Sequence, residues 1–97
     1  MSIQSFGDLR TEDVWDGTTN ARTRGLPPDV LKIGPRKLDM LNAAKDLDDL
    51  KAPPGNRLEP LKGHLAGFHS IRINSQWRIV FRWTPAGPED VKIVDYH

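Results

Sequence analysis

Arg78 and Arg82 stand on the run Trp77-Arg78-Ile79-Val80-Phe81-Arg82-Trp83, Lys62 sits in a Leu61-Lys62-Gly63 turn, and the sequence closes on Asp95-Tyr96-His97. Arginine offers a fixed planar cation that matches phosphate oxygens, and lysine a mobile point charge. Together they suit the charge that builds on a phosphate under attack. Tyrosine and histidine hold protons with different affinity, and an aspartate can orient one of them or accept a proton, so a general base and a general acid are both at hand. Lys62, Arg78, Arg82, Asp95, Tyr96 and His97, gathered in or beside one sheet, would bind a phosphodiester and move protons around it. A plainer reading stands next to this one: arginines on an exposed strand face are usually just solvated, and a terminal Tyr-His is usually frayed.

Glu59 lies just before Pro60 and Lys62 and reads in three ways: a base, an ion-pair partner for Lys62, or edge polarity, with the ion pair favoured. His64 falls in a turn, and His69 alternates with Ile71 and Ile73. Exposure and partial burial account for these two histidines without a ligand role. Asp46, Asp48 and Asp49 invite a metal, but they lack the glycine and closing glutamate of a calcium loop and read as a solvated helix end.

The elements that must position these groups follow from periodicity. Leu58–Leu61, Phe68–Ile73, Trp77–Trp83 and Val91–Val94 are runs rich in Ile, Val, Phe and Trp separated by turn residues, which predicts an antiparallel meander. Alternation sets Trp77, Ile79, Phe81 and Trp83 on one face and Arg78, Val80 and Arg82 on the other, with Arg72 opposed to Ile71 and Ile73. The first half predicts a short strand over Ser2–Phe6 and a helix over Asp8–Asp16 anchored by Trp15. A polar loop follows over Gly17–Gly25, carrying Arg22 and Arg24 toward solvent. From Pro27-Pro28-Asp29 a helix begins with Leu31, Leu38 and Leu41 in its stripe and Ala43 and Ala44 behind. Gly34-Pro35 predicts a kink or a break, with a second helix over Pro35–Lys45. Asp46–Gly55 reads as a loop. The fold class is α+β: N-terminal helices on the apolar face of a mainly antiparallel four- to five-stranded sheet whose other face is partly open.

With 97 residues, 37% hydrophobic and 28% charged, the chain suits one domain over residues 1–97 with one modest core. It has no cysteine, which excludes disulfides, a thiolate nucleophile and Cys-based zinc sites. No run approaches the roughly 20 apolar residues of a membrane helix, and Met1–Arg10 lacks a signal-peptide core, so the expected location is cytoplasmic and no membrane partner is expected. The formal net charge is +1. Residues 1–50 hold 7 basic and 9 acidic side chains and residues 51–97 hold 7 and 4, so the second half is the better polyanion-facing surface.

Arg57-Leu58-Glu59-Pro60-Leu61-Lys62-Gly63, Gly67-Phe68-His69-Ser70-Ile71, Gln76-Trp77-Arg78-Ile79-Val80-Phe81-Arg82 and Val94-Asp95-Tyr96-His97 together resemble the HigB toxins of the RelE superfamily. Lys37-Leu38-Asp39-Met40-Leu41 and Ile3-Gln4-Ser5-Phe6 fit as well, so the resemblance spans nearly the whole chain. It implies a RelE-like compact fold and a ribosome-dependent endoribonuclease that cleaves mRNA in the ribosomal A site. A helix-turn-helix antitoxin of HigA type would be its partner, and operator DNA would be met only through that antitoxin. No cofactor or metal is implied, because the ribose 2′-hydroxyl is the nucleophile and the 5′-oxygen leaves.

Carried over by motif, Arg78 corresponds to the phosphate-stabilising arginine of the Trp-Arg-Ile strand, and Lys62 to the lysine of Leu-Lys-Gly. Asp95, Tyr96 and His97 correspond to the terminal residues of proton transfer and stacking. Arg57, Arg72 and Arg82 are the further cations expected toward RNA. Some members carry a histidine in a Lys-Leu-His-Pro-Leu-Lys-Gly stretch where this chain has Glu59, so the proton-transfer set does not transfer intact. The resemblance also implies a smooth helix where Gly34-Pro35 stands. Two other classes stay open: a ParE-like inhibitor of a protein target such as gyrase, and a degenerate chain that only binds its antitoxin.

Overall fold

The computed structural model describes residues 2–95. Four strands, β1 (Glu59–Pro60), β2 (Phe68–Arg72), β3 (Trp77–Thr84) and β4 (Gly87–Asp95), form an antiparallel sheet in the order β1-β2-β3-β4. Three helices, α1 (Leu9–Asp16), α2 (Ala21–Arg24) and α3 (Pro28–Ala43), precede the sheet, and 3-10 turns at Leu47–Lys51, Pro54–Asn56 and Gly63–Leu65 complete the connections. The meander and the helix-then-sheet order are those expected from the periodicity. No helix among the described residues is long and apolar enough to cross a membrane.

The core lies between α3 and the sheet. Val30, Leu38 and Leu41 of α3 are buried with Ile71 of β2, Ile79 and Phe81 of β3, and Val91 and Ile93 of β4. The alternation over Trp77–Trp83 puts its odd positions into this core, except that Trp83 is only partly buried. α3 runs unbroken through Pro35, in place of the expected kink or break. Pro35 withdraws one donor, the one that would meet the Leu31 carbonyl. Leu31 is exposed, so water can serve that carbonyl, while Val30, Leu38 and Leu41 hold the helix to the sheet on either side of the proline. Leu31 and Ala43 thus leave the expected stripe, which is Val30, Gly34, Leu38 and Leu41.

Three further expectations change. Gly17–Gly25 is not all loop: Asn20 caps α2 by accepting from the N–H groups of Arg22 and Thr23, and the Thr23 hydroxyl closes the capping box. Trp15 is half-buried against Phe6, and the anchors of α1 are Thr11 and Val14. Residues 2–6 form no named strand; they run beside the outer edge of β4, with one parallel bridge between Phe6 and Val91.

That edge is closed along most of its length. Gln4 N donates to Pro88 O, Val91 N to Ser5 O and Gly7 N to Val91 O, at 2.7, 3.1 and 2.9 Å. Farther along, the Ile93 N–H donates to the Thr11 hydroxyl at 2.9 Å, and Arg10 Nη2 donates to Ile93 O at 3.2 Å. A strand edge left open is a template for pairing with another chain; here the N-terminal segment and α1 occupy it. Gly87 permits the approach: any Cβ there would collide with the Ser2 carbonyl, and its φ of 130° disfavours a side chain in any case.

Thr11→Val keeps the shape of the buried side chain but leaves the Ile93 N–H without its acceptor. Denaturant unfolding is expected to show a loss of about 1–3 kcal/mol. Asp13 docks α2 on α1 by accepting from Arg22 Nε at 2.7 Å and Asn20 Nδ2 at 2.9 Å. These bonds, that of Arg22 first, hold its carboxyl below the usual aspartate value of 3.8. The stabilisation from Asp13 is therefore present above pH 3.8 and lost as the pH falls through the lower native value. Thermal melts of Asp13→Asn are expected to fall below wild type at neutral pH and converge with it in acid.

Candidate active site

Arg78 sits mid-sheet with a relative exposure of 9%. A guanidinium removed from water is strongly unfavourable unless oxygens meet its N–H groups. Here Nε donates to Ser70 Oγ at 2.7 Å, and Nη2 donates to the carbonyls of Arg57 at 2.7 Å and Ser70 at 3.4 Å. Glu59 Oε1 lies 3.5 Å from the same Nη2. The favoured ion pair of Glu59 is thus real, but its partner is Arg78 rather than Lys62. One planar cation ties β3 to β2, to β1 and to the segment before β1.

That segment is fixed from below. Asn56 is fully buried; its Nδ2 donates to Leu50 O at 3.1 Å and Ala52 O at 3.3 Å, and its Oδ1 accepts from Lys37 of α3. Burial at Lys37 pushes its ammonium below the ordinary lysine value. Arg57 follows in the left-handed region, φ 45° and ψ 54°, which turns its carbonyl to Arg78 while its side chain stays exposed. Arg57 thus enters the site through its backbone.

The other cations divide. Arg72 is the Cα partner of Arg78 across β2 and β3, and like charges so placed repel. The Arg72 Nε is turned to the Asn74 carbonyl at 3.0 Å. Arg82 is held at the far end of β3 by Glu89, with Asp90 Oδ2 3.7 Å away, and its guanidinium lies 5.7 Å from the Phe68 ring centroid. It does not join Arg78. Lys62 is exposed on the turn entering Gly63–Leu65 and makes no side-chain hydrogen bond or ion pair among the described residues.

Asp95 ends β4 opposite Trp77 and accepts from Gln76 Nε2 at 3.1 Å. Tyr96 and His97 lie outside the described residues. His64 is exposed; His69 is partly buried and stacked on Phe81, its Nδ1 without a hydrogen-bond partner among the described residues. The residues brought together are therefore Arg78, Glu59, Ser70 and the Arg57 carbonyl, on the sheet face away from α3.

Ser70 and Lys92 escaped the sequence reading. Both had a signal: Ser70 shares parity with Arg72, and Lys92 falls between the core residues Val91 and Ile93. A bulge makes the second harder to see. Val80 pairs with Lys92 and Arg82 with Glu89, so β4 carries one residue more than β3 in this interval, and Asp90 adopts φ 52°. A cavity of about 260 Å³ opens on this face between Leu65, Phe68, Val80, Lys92, Val94 and Asp95.

Residues 11–97 match the family described as RelE-like toxin of type II toxin-antitoxin system HigB. Toxin HigB-1 of Vibrio cholerae serotype O1 is 47% identical over 62 residues, which are 64% of this chain and 65% of that protein. An uncharacterized protein of Haemophilus influenzae is 38% identical over 58 residues, 60% of this chain and 57% of its own length. The chain thus spans somewhat under two thirds of these two relatives. Endoribonuclease HigB of Proteus vulgaris is 33% identical over 76 residues, 77% of this chain and 80% of that protein. The YoeB/ParE toxin from Agrobacterium tumefaciens shares the fold, with a TM-score of 0.52 and 20% identity over 100% of this chain and 99% of that one.

Replacing Ser70 with alanine removes the hydroxyl that meets Arg78 Nε and leaves a charged donor buried. The expected loss of stability is about 1.5–3 kcal/mol by denaturant unfolding. Ser70→Thr, which keeps the hydroxyl, is expected to recover part of it.

Proposed function

The chain belongs to the RelE-like HigB toxin family of type II toxin-antitoxin systems, and from that membership we propose that it acts, as one domain over residues 1–97, as an endoribonuclease that cleaves mRNA in the ribosomal A site. The observation that carries the reading is Arg78, a buried guanidinium whose orientation is set by Ser70 and the Arg57 carbonyl on an open sheet face. A cation fixed in this way stabilises a phosphate under attack without reorganising during the reaction. The Proteus vulgaris relative is named an endoribonuclease, which agrees in chemistry.

In this reading the 2′-oxygen forms a bond to the adjacent phosphorus and the bond from phosphorus to the 5′-oxygen breaks. The 2′-hydroxyl proton passes to a base, and a proton is delivered to the leaving 5′-oxygen. Arg78 takes the phosphate, with Lys62 as the second, mobile cation. Glu59, close to Arg78, is the candidate base in place of the histidine of other family members. Asp95, Tyr96 and His97 serve the remaining proton transfer, and the Tyr96 ring can stack on a base. Arg57, Arg72 and Arg82 frame the RNA path, with Arg82 already engaged by Glu89. The chain works in the cytoplasm, where a HigA-type helix-turn-helix antitoxin restrains it and alone carries it to operator DNA.

Arg78→Lys keeps the charge and loses the planar fork. Cleavage of mRNA on programmed ribosomes is expected to fall by about 10²–10³-fold, with the circular dichroism spectrum unchanged and naked mRNA left intact by both proteins. Wild-type cleavage rates in a folded Arg78→Lys would overturn the assignment. Toxicity with no RNA cleavage would return the reading to an inhibitor of a protein target.

A further inference from the structure

α3, the turns before β1 and the approach to Arg78 meet at Asn56, and a sulfur atom ends against its side chain: Met40 Sδ lies 3.9 Å from Asn56 Nδ2. The chain has no cysteine, so Met40 carries the only sulfur among the described residues. At a relative exposure of 36% it is also one of three large hydrophobic side chains left exposed among them, beside Leu9 and Leu31. A thioether so placed is open to two-electron oxidants, which convert it to a polar sulfoxide.

The contact matters because of what Asn56 holds. Its side chain is fully buried and its donors are committed: the two hydrogens of Nδ2 go to Leu50 O and Ala52 O at 3.1 and 3.3 Å, and Oδ1 accepts from the Lys37 ammonium. A thioether is a weak acceptor and takes little from this set. A sulfoxide oxygen is a strong one. Lys37 and Met40 stand three residues apart on α3 and share a face, so the new oxygen arises beside both Lys37 Nζ and Asn56 Nδ2 and competes for them. Arg57, next in the chain, keeps a left-handed backbone at φ 45°, which a residue other than glycine holds only where its surroundings over-determine it. Its carbonyl is the one that meets Arg78 Nη2 at 2.7 Å.

We propose that Met40 is a modification site for peroxide-class oxidants, and that its sulfoxide loosens Asn56 and Arg57 and so frees Arg78 Nη2 from the carbonyl that orients it. In the step, the Met40 sulfur attacks one oxygen of the peroxide, an S–O bond forms and the O–O bond breaks. The proton on the attacked oxygen passes to the departing hydroxide, which leaves as water; sulfur is oxidised by two electrons and the peroxide reduced by two. Met40 touches no reacting atom of RNA and acts through Asn56 and Arg57. Its effect on cleavage rests on the endoribonuclease reading, and its effect on Arg78 does not.

The test treats full-length wild type and Met40→Leu with hydrogen peroxide, locates added oxygen by peptide mass spectrometry and follows the Arg78 guanidinium N–H signals by NMR. Met40→Leu keeps an apolar side chain of similar volume and retains Met1, so the effect of oxidation elsewhere shows equally in both proteins. In wild type, oxygen is expected on Met40, and the Arg78 signals are expected to shift and to exchange faster with water. Cleavage of mRNA on programmed ribosomes is expected to fall about tenfold, the worth of one hydrogen bond to a charged group. Methionine sulfoxide reductase should restore both readouts, while Met40→Leu should cut at its untreated rate with and without peroxide. Thermal melts are expected to find the oxidised protein folded; its global unfolding would rule out the route through Asn56. A Met40 left unoxidised at a peroxide dose that converts N-acetylmethionine would overturn the site, as would Arg78 signals unmoved by its oxidation. An equal loss of cleavage in Met40→Leu, or none in an oxidised wild type that cuts before treatment, would do the same. A wild type that cuts no RNA before treatment ends the nuclease reading, while the Arg78 signals still decide the modification.

Discussion

A guanidinium with less than a tenth of its surface in water must be met by oxygen on nearly every side, and much of this molecule is arranged to meet one. Arg78 takes the Ser70 hydroxyl and carbonyl from β2, the Arg57 carbonyl from the approach to β1 and the Glu59 carboxylate from β1 itself. β1 is only two residues long and contains a proline, so its own ladder is too short to fix it. The charge on Arg78 supplies what the ladder lacks. The same demand reaches the helical layer, because the Arg57 carbonyl is aimed by a left-handed backbone that follows Asn56, and Asn56 is bound to Lys37 of α3. α3 is thus linked to the guanidinium by two hydrogen bonds joined through the backbone between Asn56 and Arg57.

The opposite side of the sheet is held by a different device with the same outcome. β4 carries Lys92 and Asp95 and is an edge strand, where mobility would blur any site. The N-terminal segment covers its first half by backbone pairing, and Thr11 and Arg10 cover Ile93 from α1. Two elements distant in sequence thus fix the two borders of one open face: the segment through Asn56 fixes the Glu59 border, and residues 4–11 fix the Lys92 border. The interior of the face is left to β3, whose register with both neighbours is set by the alternation of core residues.

Alternation is also why so much could be read from sequence. Strand parity over Trp77–Trp83 placed Arg78 and Arg82 on the face away from the helices, and the Leu61-Lys62-Gly63 turn was visible from composition. Parity says nothing of charge pairing between strands. It therefore could not show that Arg82 is held by Glu89 or that Glu59 turns to Arg78 rather than to its neighbour Lys62. Local rules failed where tertiary contact outweighed them. Pro35 predicts a break, but the buried stripe of Val30, Leu38 and Leu41 spans it, and the lost hydrogen bond falls on the exposed side. Gly17–Gly25 reads as loop because four helical residues are too few for periodicity, although Asn20 and Thr23 hold a capping signature at the right spacing. The bulge at Asp90 is a property of two paired strands, and one strand alone does not display it.

The distribution of cations shows how a chain of formal net charge +1 gathers positive charge on one part of one face. Arg22 is matched by Asp13 and is locally neutral, and Arg82 is outweighed by Glu89 and Asp90, so neither adds to the positive charge of its surroundings. Arg72 takes a carbonyl that carries no formal charge, and Lys62 has no carboxylate beside it among the described residues. Among the described residues Glu59 is the carboxylate that pairs with Arg78, and it is half-exposed, with 49% of its side chain in solvent. A group so placed can swing into solvent without leaving the guanidinium unsatisfied, since Ser70 and Arg57 keep their bonds from the inner side. The positive field is thereby concentrated at the β1 end of the face, where the oriented guanidinium of Arg78 lies, and is damped at the other end, where Arg82 is held over Phe68 by two carboxylates.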